Sequence, residues 1–226
     1  MIDDLKVEAI FPTPLWIVDL TAEVYRQMNT DLIKDISRLT EPLPALGANG
    51  TWQTDPILHE YEEFGKLISV LSDAVRGALA FLKIEYQDFE ITGCWANINP
   101  YGGLNSIHNH PNNYISGVYY VSVPEGTGKI EFTDPRMGPG SILPPVKEWS
   151  RFTCTKVMVD AKEGRIVLFP SWLKHSVPIN RTHEKRISIS FNIMFRNFTE
   201  TMSKPLWSMG SAPVASQGRR KLGMKA

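Results

Sequence analysis

The amino-acid sequence predicts a mainly β fold, a sandwich or barrel of short strands buttressed on one side by two N-terminal amphipathic helices. Three observations carry that expectation. Apolar residues recur at helical spacing before about residue 89 and at strand spacing after it. Turn-forming residues separate the later runs, which fall at 89–99, 115–123, 128–133, 152–159, 165–169 and 185–195. The composition, 42% hydrophobic and 21% charged over 226 residues, belongs to a globular chain with enough apolar material for one core.

In chain order, residues 7 to 19 read as extended, with Pro12 and Pro14 confining the segment to a sheet edge or an irregular approach. Thr21 is placed to cap a helix over 21–39, with Val24, Met28, Leu32, Ile36 and Leu39 on one stripe. Residues 40–58, rich in Pro, Gly and Thr, read as a long connection. A second helix is expected over 62–83, its wide apolar face made by Phe64, Leu67, Ile68, Leu71, Val75, Leu79 and Leu82. The organisation is therefore one unit over 1–200, a helical buttress at 21–83 and a strand core at 89–195. Within that core, residues 134–150 hold four prolines and two glycines, consistent with a lid or with a rigid surface excursion. From Ser203 to 226 the chain becomes Gly/Ser/Ala/Pro-rich and then basic, the pattern of a flexible tail.

Several function classes lose support at this level. Lys plus Arg equals Asp plus Glu at 24 each, so no net field favours nucleic acid or an anionic membrane as partner. Two cysteines, Cys94 and Cys154, are too few for a disulfide framework and lack CxxC spacing. No apolar run approaches the ~20 residues of a membrane span, and the first residues lack a secretory signal pattern. A cytoplasmic protein is expected.

The chemistry is concentrated in three of the five histidines. His108 and His110 are separated by one residue, and on an extended chain such residues face the same way. His175 follows Gly164 and Pro170 in a Gly-x5-Pro-x4-His arrangement similar to the second metal motif of cupin and jelly-roll enzymes. A facial metal triad needs two ligands from one strand and a third from a strand facing it across the barrel. The alternative is a polar HNHPNN turn and a surface His175. His59 and His183 lie in polar, loop-like sequence and receive no role.

The run EKRISISFNIM, residues 184–194, alternates strictly. Arg186, Ser188, Ser190 and Asn192 share one face, opposite Ile187, Ile189, Phe191 and Ile193. Inside a small barrel the polar face lines a cavity, and a buried guanidinium then demands an anion. On an open edge it would simply meet water. Upstream, Trp95, Asn97, Asn99 and Tyr101 repeat the pattern, and the two amides could hydrogen-bond a cosubstrate or bracket a turn.

The ordered set HxHP, SGVYYV, DPR, FPSWLKH and RISISFN resembles an uncharacterised family of 2-oxoglutarate/Fe(II) oxygenases, closely over residues 95–195. The resemblance implies a double-stranded β-helix (a cupin-like jelly roll), a bound Fe(II), and 2-oxoglutarate as cosubstrate. The implied activity is that of a dioxygenase, with release of succinate and CO2 and hydroxylation of a C–H bond. It maps the metal onto His108 and His175 and the cosubstrate arginine onto Arg186; the Arg-x-Ser spacing adds Ser188, and the polar face upstream offers Asn97 and Asn99 as further candidates for cosubstrate or substrate. In the wider superfamily the second ligand is Asp or Glu, whereas this chain has His110. Three histidines are the favoured ligand set; Asp134 swinging in from the DPR turn, or a site that no longer catalyses, are the other readings. Asp134 also suits a turn-stabilising pair with Arg136. Two rival functions stay open: a cupin-type metalloenzyme without 2-oxoglutarate, and a non-catalytic jelly roll that only holds a metal. The substrate is expected to be a small molecule or a protein.

Overall fold

The structure, a computed structural model, describes residues 3–40, 46–47, 49–136 and 141–198. The expected tail from Ser203 lies outside these residues, as does the middle of the 134–150 excursion. Among them are ten strands and two α-helices: β1 (Trp16–Asp19), α1 (Ala22–Leu39), β2 (Trp52–Gln53), α2 (Gly65–Phe81), β3 (Phe89–Asn99), β4 (Asn105–His108), β5 (Ile115–Ser122), β6 (Lys129–Thr133), β7 (Lys156–Asp160), β8 (Arg165–Pro170), β9 (His175–Val177) and β10 (Arg186–Phe195). They form two antiparallel sheets, six strands in the order β1-β8-β5-β10-β3-β2 and four in the order β4-β9-β6-β7.

The six-stranded sheet has two different faces, and strand alternation sends each residue to one or the other. Cys94, Ala96 and Ile98 of β3, Tyr119 and Val121 of β5, Ile166 and Leu168 of β8, and Ile189, Phe191 and Ile193 of β10 join one apolar cluster with both helices. The helices contribute Met28, Leu32 and Ile36 from α1 and Leu67, Leu71, Val75 and Leu79 from α2, all buried. Burying side chains of this size stabilises by about 1.5–3 kcal/mol each. A buried polar tie fixes α1 on β5: Tyr119 donates to Asn29 Oδ1 at 2.5 Å, and the Asn29 amide donates to the Val121 carbonyl at 2.7 Å. The other face, with Val118, Tyr120, Val167 and Phe169, meets Ile130, Phe132 and Val159 of the small sheet. Between the sheets lies the cavity described below.

The helices differ from expectation at their ends. Val24 and Leu39 were expected on the buried stripe of α1 but are exposed, one in its first turn and the other at its last residue. Thr21 occupies the N-cap without a side-chain capping bond; its carbonyl accepts the Val24 and Tyr25 N–H groups instead. α2 begins at Gly65, after two 3-10 turns at Leu58–Glu60 and Glu62–Phe64. Of residues 7–19 only Trp16–Asp19 pair as a strand, and β7 begins at Lys156 because Ser150 and Thr153 fold residues 150–154 into a hydrogen-bonded turn.

Two glycines are dictated by geometry. Gly164 has φ +76° and lies under the Tyr25 ring, so a Cβ would both strain the backbone and strike that ring. At Gly117 a Cβ would lie 2.5 Å from Phe191 and 2.7 Å from Leu168, so β5 crosses the helix-facing layer only without a side chain there.

Candidate active site

His108 and His175 are cross-strand partners, paired in register where β4 meets β9 in the small sheet. This corrects the expectation that the distal histidine would come from a strand across the barrel. The two strands are only four and three residues long, and β4 carries a register shift between Asn105 and His108. His110 lies beyond the end of β4, where its N–H donates to the Ser171 carbonyl. From there its ring reaches the opposite sheet, so the i, i+2 spacing brings both imidazoles together across a strand end.

The three rings converge. Their centroids are 4.4 Å (108–175), 5.0 Å (108–110) and 5.1 Å (110–175) apart. One ligand nitrogen from each can be chosen so that all lie within 4.8 Å of one another, a group that could hold a metal ion. Nδ1 of His108 donates to the Ser106 carbonyl at 2.6 Å, and Nδ1 of His175 donates to the Leu173 carbonyl at 2.9 Å. A carbonyl only accepts, so both Nδ1 atoms carry the hydrogen and both Nε2 lone pairs are left for a metal. His175 is buried against Phe169, and burial pushes its pKa down to about 3, with the neighbouring histidines adding to the effect. Burial also lowers His110, opposed by its Asn192 hydrogen bond. Neutral imidazoles are the form a metal requires.

Arg186 begins β10 and is 1% exposed, yet its Nε and Nη1 have no hydrogen-bond partner. Its guanidinium carbon sits 5.2 Å from the centroid of the Tyr120 ring, whose own hydroxyl is buried without a partner. Burial holds the Arg186 pKa below its usual value, the sign of a cation deprived of water. Ser188, two residues on, faces the same cavity, which is also lined by the three histidines, Trp95, Asn97 and Ser190. A buried fork of N–H groups beside the Tyr120 phenol, which interacts with the guanidinium, is a donor set that suits a carboxylate.

The amides divide. Asn97 lines the cavity, but its Oδ1 accepts from Gln53 at 2.6 Å and its Nδ2 donates to Ser190 at 2.9 Å, so it ties the cavity floor to edge strand β2. Asn99, expected near the cosubstrate, instead donates to Thr51 and Asn105 and clasps β3 to the chain before β2 and to β4. Polar alternation identifies a face of a strand but not the partner waiting there. Asp134 is outside the histidine group among the described residues; its carboxylate accepts from the Arg136 backbone and guanidinium at 2.6–3.0 Å, which also lowers its pKa. It is held here as a turn pair with Arg136. His183 stacks on Tyr101, away from the cluster. Tyr120, Ser116 and Asn192 are site residues to which the sequence reading gave no role. Asn192 shares the polar face of β10, whereas Tyr120 is hidden in a strand buried on both faces.

Two packed antiparallel sheets enclose a histidine triad and a buried arginine, a jelly-roll-like fold with a candidate metal centre beside a buried guanidinium. Residues 93–192 match the sequence profile of a family described as "Putative 2OG-Fe(II) oxygenase". The matched residues include all three histidines together with Tyr120, Arg186 and Ser188. In fold it is similar to a Pseudomonas putida prolyl-4-hydroxylase (15% identity, 81% of this chain and 93% of that one, TM-score 0.53). It is also similar to HygX from Streptomyces hygroscopicus with nickel, 2-oxoglutarate and hygromycin B bound (13% identity, 80% and 82%, TM-score 0.54). A third similar structure is a Trichoplax adhaerens prolyl hydroxylase in complex with a hypoxia inducible factor peptide (13% identity, 84% and 87%, TM-score 0.54). No curated protein matches the chain in sequence. No helix among the described residues is long and apolar enough to cross a membrane.

Proposed function

We propose that His108, His110 and His175 hold Fe(II), and that Arg186, Ser188 and Tyr120 grip the distal carboxylate of 2-oxoglutarate. One observation carries the reading: a fully buried guanidinium with two unpartnered nitrogen donors opens onto the same cavity as three converging imidazoles. A buried cation left unpaired is strongly unfavourable, so a dianion that reaches it answers an unmet demand. Iron held there supplies the oxygen-activating chemistry, in which 2-oxoglutarate is decarboxylated to succinate and CO2 while a substrate C–H bond becomes C–OH. The three histidines would hold the metal and would leave it accessible to a cosubstrate from the side of Arg186.

This chain's own residues do the rest. Arg186 offers a planar fork that fixes the carboxylate in one orientation, and Ser188 adds a hydroxyl from the same strand face. Phe169, 4.6 Å from His175 between ring centroids, and Trp95, 5.7 Å from His110, keep water from two sides of the triad. The substrate, a small molecule or a protein segment, enters beside these rings. Residence in the cytoplasm belongs to the same proposal, supported by two cysteines that are both free.

The test is anaerobic addition of Fe(II) and then 2-oxoglutarate, followed in the visible region. A weak charge-transfer band that saturates with 2-oxoglutarate is expected. Bound iron with no band at any 2-oxoglutarate concentration would replace this reading by a cupin-type metal site without the cosubstrate.

A further inference from the structure

Two of the three ligands are oriented by their own chain. His108 and His175 each find a carbonyl two residues back, so their tautomers follow from local backbone alone. His110 has no such carbonyl. Its Nδ1 faces side chains of the six-stranded sheet: Asn192 Oδ1 at 2.6 Å and Ser116 Oγ at 2.9 Å. The Ser116 hydroxyl donates its only hydrogen to Asn192 Oδ1 at 2.7 Å. With that hydrogen committed, Ser116 Oγ presents only lone pairs to the imidazole, as Asn192 Oδ1 does. Both neighbours are acceptors, and Nδ1 of His110 must be the donor.

We propose that Asn192, braced by Ser116, is the positioning residue that turns the Nε2 lone pair of His110 toward the metal. The proposal rests on the three-histidine reading above. It also explains how a histidine can stand at a ligand position where a carboxylate serves in related enzymes. A carboxylate has no tautomers and offers an oxygen whichever way it is approached. An imidazole is a ligand only if the proton sits on the far nitrogen, so His110 needs an acceptor behind it, and β10 and β5 provide one from the sheet opposite β4. Asn192 and His110 are therefore a matched pair, with Asn192 dispensable once His110 is replaced by a carboxylate.

The first measurement is a long-range 1H–15N spectrum of the metal-free protein, which has only five histidines; His110→Asp assigns the His110 signals by their absence. His110 is expected as the Nδ1–H tautomer, and Asn192→Leu should convert it to a mixture. Calorimetric titration with Ni(II) or Mn(II) is the second measurement. Asn192→Leu should weaken metal binding about 10–100-fold, the range seen when the partner behind a ligand is lost. In a His110→Asp background the same substitution should change affinity by about twofold or less. Asn192→Asp keeps an acceptor in place, so tautomer and affinity should both persist, a check that does not depend on the leucine variant folding. An Nε2–H His110 in the wild type, an equal loss in both backgrounds, or loss of both properties in Asn192→Asp would each overturn the assignment. A wild-type protein that takes up no metal would instead sink the oxygenase reading, and the spectrum would still decide the role of Asn192.

Discussion

Replacing Arg186 tests the cosubstrate pocket in two opposite directions at once. In the ligand-free protein this guanidinium is 1% exposed with Nε and Nη1 unpartnered, so it weakens the fold that contains it. Arg186→Met fills much of the same volume without the charge and should raise the stability of the ligand-free protein. The expected gain is ~1–4 kcal/mol, the range found when buried ions give way to apolar residues. The same change removes the carboxylate's main partner. Losing one member of a buried charge pair costs about 2–5 kcal/mol, which is roughly thirty- to several-thousand-fold in 2-oxoglutarate affinity. Arg186→Lys should recover part of that affinity, since a point charge cannot reproduce the fork. Ser188→Ala should cost about 0.5–1.5 kcal/mol, the worth of one hydroxyl bond. The assays are urea denaturation of the metal-free protein and 2-oxoglutarate titration of the iron-loaded protein by charge-transfer absorbance. A less stable Arg186→Met with unchanged 2-oxoglutarate affinity would refute the reasoning and make Arg186 a structural residue.

Three further perturbations follow from the structure. His110→Asp places an anion on the metal, so metal should bind more tightly without 2-oxoglutarate and gain less from adding it; reciprocal coupling measured by Mn(II) calorimetry with and without saturating 2-oxoglutarate checks this, and an undiminished coupling would count against the charge argument. Gly117→Ala should destabilise by about 1–3 kcal/mol, read as a lower thermal midpoint, because the added carbon meets Phe191 and Leu168 at 2.5 and 2.7 Å. Asp19 joins β1 to Arg165 of β8, and hydrogen bonding from Arg165 lowers its carboxyl pKa below 3.8. A depressed folded pKa means stabilisation that is full above the unfolded value and disappears as pH falls through the folded one. Asp19→Asn should thus lower the unfolding free energy from urea denaturation at pH 7 by about a few tenths of a kcal/mol for so exposed a pair, and the gap should close as pH falls below the ordinary carboxylate range; a gap independent of pH would exclude the ion pair as its cause.

What could be read from the sequence was whatever one periodicity controls. β10 alternates strictly, and the structure sends Arg186, Ser188, Ser190 and Asn192 into the cavity side and Ile189, Phe191 and Ile193 to the helices. The helix stripes were legible in the same way, except at Val24 and Leu39 near the two ends of α1, which are exposed. β4 and β9 were not legible, because three or four residues hold too little of any period and β4 is interrupted by a shift of register. Tyr120 escaped because ISGVYYVS is buried on both faces and apolarity does not tell inside from outside. At Asn99 the polarity was legible, but its bond to Thr51 joins segments 48 residues apart, which no local pattern reveals.

The two-faced character of β10 separates what can vary from what cannot. Ile187, Ile189, Phe191 and Ile193 face the helix-side cluster, away from the cavity, and act as pegs that index the strand against the helices. A slip of one residue would deliver these apolar groups into the cavity and bury Arg186 and Ser188 in the oily layer. The groups that do chemistry are thus held at their depths by neighbours that do none. Exchanges on the cavity side can retune which acid or substrate is held while the pegs keep the scale fixed, and a single substitution among the pegs can shift every functional group on the strand together.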